Sequence, residues 1–295
     1  MSTETGVNVS QSGSNSFIQK TRRAIVTIPA YVILLIWAAF TIFGMLWILV
    51  SSFKRTGEIF RNVWSLPTEL FFTNYIKAWS VVKMGSYFFN SLIVVSISIL
   101  LILIVSAPAA YVLTRIKFRG RNFLNVFFIA GMGIPFALLF IPLFGMLTAI
   151  KMIDSLQGLI LIYVALSIPF TVFLLTGFFA TLPGELEESA ALDGAGPYRI
   201  FFSIMLPLAS PGLLTAAIFN FIGLWNEYML ALIFLTTQKN NTVALGLYAL
   251  QSSMQYTGDW GALYAGVMIV VLPTILLYIV LSERMIAGIT LGIGK

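Results

Sequence analysis

The sequence predicts an all-α, polytopic membrane protein: six transmembrane helices with a helical elbow on the cytoplasmic side. Three observations predict it. The chain is 59% hydrophobic and 9% charged, whereas soluble domains carry about a quarter charged residues, so it lacks the polar surface a soluble fold needs. Six apolar runs approach the length of about 20 residues that crosses a bilayer core as a helix. A charged, glycine-broken segment, Glu185 to Pro207, separates the fourth run from the fifth and has to lie outside the lipid.

The runs are, in order, Ile25–Val50, Phe88–Leu113, Phe123–Leu147, Leu159–Phe179, Leu213–Leu235 and Ala262–Leu281. Residues 1–20 are rich in Ser, Thr, Asn and Gly and predict a disordered cytoplasmic tail; residues 21–295 form one six-helix membrane domain. Lys20, Arg22 and Arg23 precede the first run, which is too long for a cleaved signal and is expected to remain as an anchor. The second-to-third link carries Arg115, Lys117, Arg119 and Arg121, while the third-to-fourth and fifth-to-sixth links carry only Lys151 and Lys239. The positive-inside bias therefore places both termini in the cytoplasm. The first link, about Ser51 to Tyr87, holds five cations against that bias. Its length and its Trp64, Pro67, Phe71, Phe72 and Trp79 predict an ordered external loop at the interface. Pro108, Pro135, Pro142, Pro169 and Pro273 fall within runs and predict kinks, which in a membrane need support from neighbouring helices or a cavity.

With neither Cys nor His, the chain has no thiol nucleophile and no imidazole base, and a single acid well inside a run leaves an intramembrane enzyme without a catalytic pair. The net charge of +6 fits cytoplasmic-loop cations and a bilayer partner; no nucleic-acid partner is expected.

The elbow spans about residues 181–211. Pro183 suits a first helical turn, and Glu185, Glu187 and Glu188 follow where the helix dipole favours negative charge. Leu186, Ser189, Ala190 and Asp193 fall along one side. Gly194 and Gly196 let the backbone leave the helix, and Pro197 starts a second helix through Met205, with Pro207 and Pro211 near its end. Such a unit is either an amphipathic connector or a knob for a soluble partner.

The segment resembles the EAA loop of ABC importer permeases, in which a Glu-Ala-Ala triplet is followed by Gly and then Ile-x-Leu-Pro. Those positions here are Glu188-Ser189-Ala190, Gly194 and Ile204-Met205-Leu206-Pro207, with Ser189 replacing the usual Ala. Leu49 to Lys54, Asn74-Tyr75, Asn90 to Ile93, Ala109 to Arg115, Trp225 to Tyr228 and Gly288 to Gly292 are similar to maltose-type carbohydrate permeases, specifically the shorter, six-span subunit. The resemblance implies an inner-membrane, non-catalytic subunit with four kinds of partner: a second permease, two ATPase subunits, an extracytoplasmic sugar-binding protein and lipid. No cofactor is expected on this chain, which has no phosphate-binding glycine loop; ATP and Mg2+ are expected on the ATPases. Coupling to the ATPase falls on Glu187, Glu188, Ser189, Ala190, Asp193, Gly194, Ile204, Leu206 and Pro207, and the tail from Ser282 to Lys295 is a second candidate contact.

Glu227 is the acid inside the fifth run, and an intramembrane carboxylate has to face a cavity, a partner or the interior. With Asn220, Trp225, Asn226 and Tyr228 it forms a candidate solute path, the aromatic and hydrogen-bonding mix that suits a sugar; Asn226 and Glu227 bracing the fold is the alternative. The absence of Lys or Arg inside the runs favours a neutral solute. A permease for another neutral solute, and a self-contained carrier, remain the competing functions.

Overall fold

The computed structural model describes the backbone of residues 11–293 and the side chains of residues 28–281 other than Gln255. Among the described residues the chain is helical, without strands. The long helices are α1 (Gln11–Ser52), α4 (Met84–Arg115), α7 (Leu156–Thr181) and α14 (Trp260–Ile293); between them lie α2 (Thr56–Arg61), α3 (Thr73–Ile76), α5 (Arg121–Met132) and α6 (Phe140–Ala149). The later segments are α8 (Glu185–Leu192), α9 (Pro197–Ile200), α10 (Leu206–Leu208), α11 (Ser210–Trp225), α12 (Met229–Phe234) and α13 (Val243–Thr257). Four of these helices are long and apolar enough to cross a membrane, or up to six spans if each of two bent pairs is one span.

Two of the expected runs are not single rods, and the kink expected at Pro135 is a full break. The third run is broken between α5 and the segment leading into α6, which meet at 95°. Gly133 caps α5, and Pro135, with no N–H to donate, opens a 3-10 turn at Phe136–Leu139. The fifth run ends at Trp225 rather than Leu235: Asn226, Glu227 and Tyr228 interrupt it before α12. At its other end the helical rod Pro197–Leu208, which includes a π turn at Phe201–Met205, meets α11 at 68°. The elbow's second helix is therefore the bent entry to α11, not a separate surface connector. Helix α1 begins at Gln11, within the segment expected to be a tail, whose first ten residues lie outside the described ones. Helix α13 was not expected at all.

The core is the pairing of α4 with α7. Ser98, Ser106 and Ala110 are buried along α4, small residues of the kind that let helices approach closely in lipid, where packing replaces the hydrophobic drive. Helix α11 closes on α7 in the same way: a Cβ at Gly212 would lie 2.4 Å from the Phe178 ring. One buried cluster joins the α4 and α7 ends to the elbow through Tyr111, Phe179, Ile200, Phe201 and Met205. At the opposite end, Asn90 on α4 donates to the carbonyls of Lys239 (2.8 Å) and Asn241 (2.9 Å).

The first link is ordered, as expected. Asn74 donates to the carbonyls of Ser52 and Lys54 at 2.8 Å each, and Trp79 lies so close over Gly85 that a Cβ there would sit 2.7 Å from the indole. Lys54, expected as a loop cation, is 1% exposed, its ammonium donating to the Val63 carbonyl at 3.2 Å.

Candidate functional site: the elbow and the break in α11

Helix α8 starts at Glu185 with Gly184 as its cap, so Pro183 stands just outside the first turn it was expected to occupy. Three carboxylates, Glu185, Glu187 and Glu188, fill that turn, where unpaired N–H groups favour negative charge. The helix ends in a paired-bond glycine motif: Gly194 N–H donates to the Ala191 carbonyl at 3.0 Å, and Ala195 N–H to the Ala190 carbonyl at 2.9 Å. This closure requires a left-handed residue, and Gly194 supplies φ +81°. Gly196, expected to share that task, is extended at φ −71° and caps α9 ahead of Pro197.

The acidic side chains on α8 diverge. Neighbouring residues on a helix point about 100° apart, and Glu187 turns inward while Glu188 faces out. One Glu187 oxygen accepts from the Tyr111 hydroxyl at 2.8 Å, and the other lies 3.5 Å from the Arg115 guanidinium. Arg115 also donates to the carbonyls of Phe179, at 2.7 Å, and Leu182. It thereby fills the open carbonyl end of α7, where positive charge is favoured. Glu187, expected to face the ATPase, thus pins the elbow to α4 and α7. Ala190 is buried beside it, Ile204 and Leu206 are half-buried, and Ser189, Asp193, Gly194 and Pro207 are exposed. Leu192 and Tyr198 stand 90% and 81% exposed at the tip. Sequence reasoning missed these two; the available signal was large apolar residues flanking a glycine turn among charges.

The candidate path residues also divide. Asn220 is buried and donates to Thr171 Oγ1 at 3.0 Å and to the Ala216 carbonyl at 2.9 Å. Trp225 is 1% exposed; its indole N–H donates to the Val270 carbonyl at 2.9 Å, tying α11 to α14. Both are braces. Glu227 is satisfied on three sides: by the Tyr163 hydroxyl at 2.6 Å, and by the N–H groups of Leu230 at 2.6 Å and Ala231 at 3.3 Å. It caps α12 and ties it to α7, which explains how a carboxylate is held at the break. Asn226 and Tyr228 are exposed. The Tyr228 ring stacks on Tyr248 of α13, with centroids 5.4 Å apart and planes 23° apart; Tyr248 was not foreseen because α13 was not. The Ser282–Lys295 candidate involves side chains outside the described ones.

At the end opposite the elbow, Asp154 fastens the loop before α7 to the loop after α12. It accepts from the N–H groups of Thr236 and Thr237 at 2.9 Å each and from the Thr237 hydroxyl. Burial alone would raise its pKa, but these bonds, with one from Asn240, outweigh it and hold the carboxyl well below the usual carboxylate range.

Residues 102–283 match the family described as the binding-protein-dependent transport system inner membrane component. The diacetylchitobiose uptake system permease protein NgcG of Streptomyces coelicolor is 41% identical over 263 residues, covering 89% of this chain and 87% of that protein. The trehalose transport system permease protein SugB of Mycobacterium tuberculosis is 31% identical over 256 residues, covering 87% and 93%. A bacterial ABC transporter that imports the acidic polysaccharide alginate contains a chain of the same fold, with a TM-score of 0.75 at 20% identity, over 89% of this chain and 97% of that one. By the matched region and the relatives' identity, this chain belongs to the family of inner-membrane permease components of binding-protein-dependent ABC transport systems.

Proposed function

We infer that this chain is one of two permeases lining the path of an ATP-driven carbohydrate importer, with both termini cytoplasmic. An extracytoplasmic binding protein delivers the solute, and two ATPase subunits, carrying ATP and Mg2+, dock on the elbow. The observation that carries this reading is the elbow's two-sidedness. Its inner side, Glu187, Ala190 and Met205, is fixed to α4 and α7, while its outer side offers Glu188, Ser189, Asp193 and the apolar tip Leu192 and Tyr198. A rigid knob anchored to two spans passes movement of its partner to those spans as a body. The bent joint into α11 extends that movement to the Glu227 break.

A carbohydrate solute is supported by the relatives' substrates and by the exposed Asn226, Tyr228 and Tyr248, two aromatic faces beside an amide. The test is co-purification of the ATPase subunit together with ATP-driven uptake of labelled oligosaccharide, comparing wild type with Glu188→Lys and Gly194→Asp. Both variants are expected to insert but to lose ATPase binding and uptake. Uptake persisting without any ATPase subunit identifies a self-contained carrier and overturns the reading.

A further inference from the structure

Where α4, the rod Pro197–Leu208 and α11 meet, a cavity of about 270 Å³ opens. Ala107 and Pro108 wall it from α4, Phe202 and Leu206 from the rod, and Leu213 from α11. Among the described residues no polar side chain lines it. Leu100 and Ile104 also line it and are 59% and 58% exposed, so its rim faces outward from the bundle. Leu206 and Leu213 stand on either side of the 68° bend, so an occupant touches both arms of the joint.

Its depth follows from two elements. Leu100 to Pro108 lie two to four turns before Arg115, the last residue of α4, which is roughly 10–22 Å at about 1.5 Å per residue. A hydrocarbon core of about 30 Å contains that level. The rod leads to the same level from the elbow: the Tyr111 and Phe201 rings meet with centroids 5.0 Å apart, which sets the end of α4 beside the start of the rod. Arg199 therefore stands near the level of Arg115, at the edge of the bilayer. It is exposed, one turn before Phe202 and on the same side of the rod. Arg115 is engaged with Glu187, whereas Arg199 forms no ion pair among the described residues.

These features select the occupant. The hydroxyls of a polar solute would find no partner in the cavity. A helix, about 10–12 Å across with its side chains, is too wide to enter. A single hydrocarbon chain is narrow enough, and lipid is the source of such chains at this depth. A free cation at the mouth of an apolar slot between spans suits an anionic headgroup. We propose that one acyl chain of an anionic phospholipid fills this cavity with its phosphate against Arg199, so that a lipid wedges the joint between the elbow and α11.

The test is photo-crosslinking in nanodiscs, with the full chain alone and in the complete transporter. Phosphatidylglycerol and phosphatidylcholine carry the same diazirine-bearing acyl chain, and labelled residues are mapped by peptide mass spectrometry. Leu35, 70% exposed on α1, is the reference for unselective contact with lipid. Labelling of the cavity walls is expected to favour phosphatidylglycerol about fivefold, the preference one cation gives near an anionic headgroup, with no such preference at Leu35. Arg199→Gln, a surface change that leaves the packing intact, is expected to remove the preference, and Arg199→Lys to keep most of it. Leu213→Trp, which fills the cavity, is expected to abolish labelling of its walls by either lipid. Equal labelling by both lipids in wild type reduces the cavity to ordinary boundary lipid and overturns the site, as does a preference that survives Arg199→Gln. Labelling seen in the chain alone but lost in the complete transporter also overturns it, because a partner subunit then covers the cavity. The readout involves no transport, so its failure leaves the importer reading standing.

Discussion

The Tyr111 hydroxyl donates to the Glu187 carboxylate over 2.8 Å, joining the elbow to α4 across 76 residues of chain. With Arg115 this makes a latch between the elbow and the spans α4 and α7. Glu187→Gln keeps the size of the side chain and removes its charge. Hydrogen bonds to charged groups contribute about 1.5–3 kcal/mol, so the elbow loosens from α4 while its outer side stays intact. The expected phenotype is uncoupling: ATPase subunits still co-purify, ATP hydrolysis continues, and uptake falls at least severalfold. Measuring hydrolysis and uptake on the same proteoliposomes separates this from loss of docking.

Gly212→Ala adds one carbon 2.4 Å from the Phe178 ring, which is itself 5% exposed and cannot swing away freely. Overpacking of this kind costs about 1–3 kcal/mol. A lower thermal midpoint in detergent is expected, with a still larger drop for Gly212→Leu. Gly223, with nothing within 4 Å of its Cβ position, is the matched control, and Gly223→Ala is expected to be neutral.

Trp225→Phe preserves most of the stacking on Phe221 (5.4 Å between centroids) but removes the donor to the Val270 carbonyl. Interhelical hydrogen bonds in membranes contribute about 0.6–2 kcal/mol. A destabilisation of that size is expected in detergent unfolding, with binding of probe sugars unchanged, because the side chain braces α11 on α14 and is not open to a solute.

The Asp154 latch gives a pH signature. Its folded-state pKa is depressed, so its contribution is fully present above the ordinary aspartate value and is lost as pH falls through that value toward the folded one. Asp154→Asn is expected to lower thermal stability by a constant amount from neutral pH to about pH 5, with the gap to wild type narrowing below about pH 4. A gap independent of pH down to strong acid contradicts the role given to its charge.

What could be read from the sequence followed the physics each signal carries. Hydropathy located the spans because lipid demands apolar length, and the Glu188-to-Pro207 spacing located the elbow because its glycine turn needs Gly194 at one position. Hydropathy carries no direction, so Pro135 announced a kink but not its 95° angle, and the 68° bend into α11 stayed hidden although Pro211 stood in view. Glu187 and Glu188 differ by one position and hence by about 100° of rotation; only the packing of α8 on Tyr111 and Arg115 decides which faces out. Helix α13 escaped because its residues Val243 to Thr257 mix apolar, small and polar types without the length of a span, and Tyr248 was lost with it. Asn220 and Trp225 were grouped with the solute path by chemistry alone, while their hydrogen bonds to Thr171 and Val270 are long-range facts.

In the proposed assembly the outer side of the elbow meets the ATPase and its inner side does not. The chain has no cysteine, so single cysteines can be placed without background. Leu192→Cys, at the exposed tip, and Met205→Cys, 0% exposed against α4 and α7, are to be compared by short-span crosslinking in membranes holding the complete transporter. An adduct between the ATPase subunit and position 192 is expected, its yield changing with ATP, and none from position 205. Position 192 remaining free to a soluble maleimide, whether or not the ATPase is present, would contradict it.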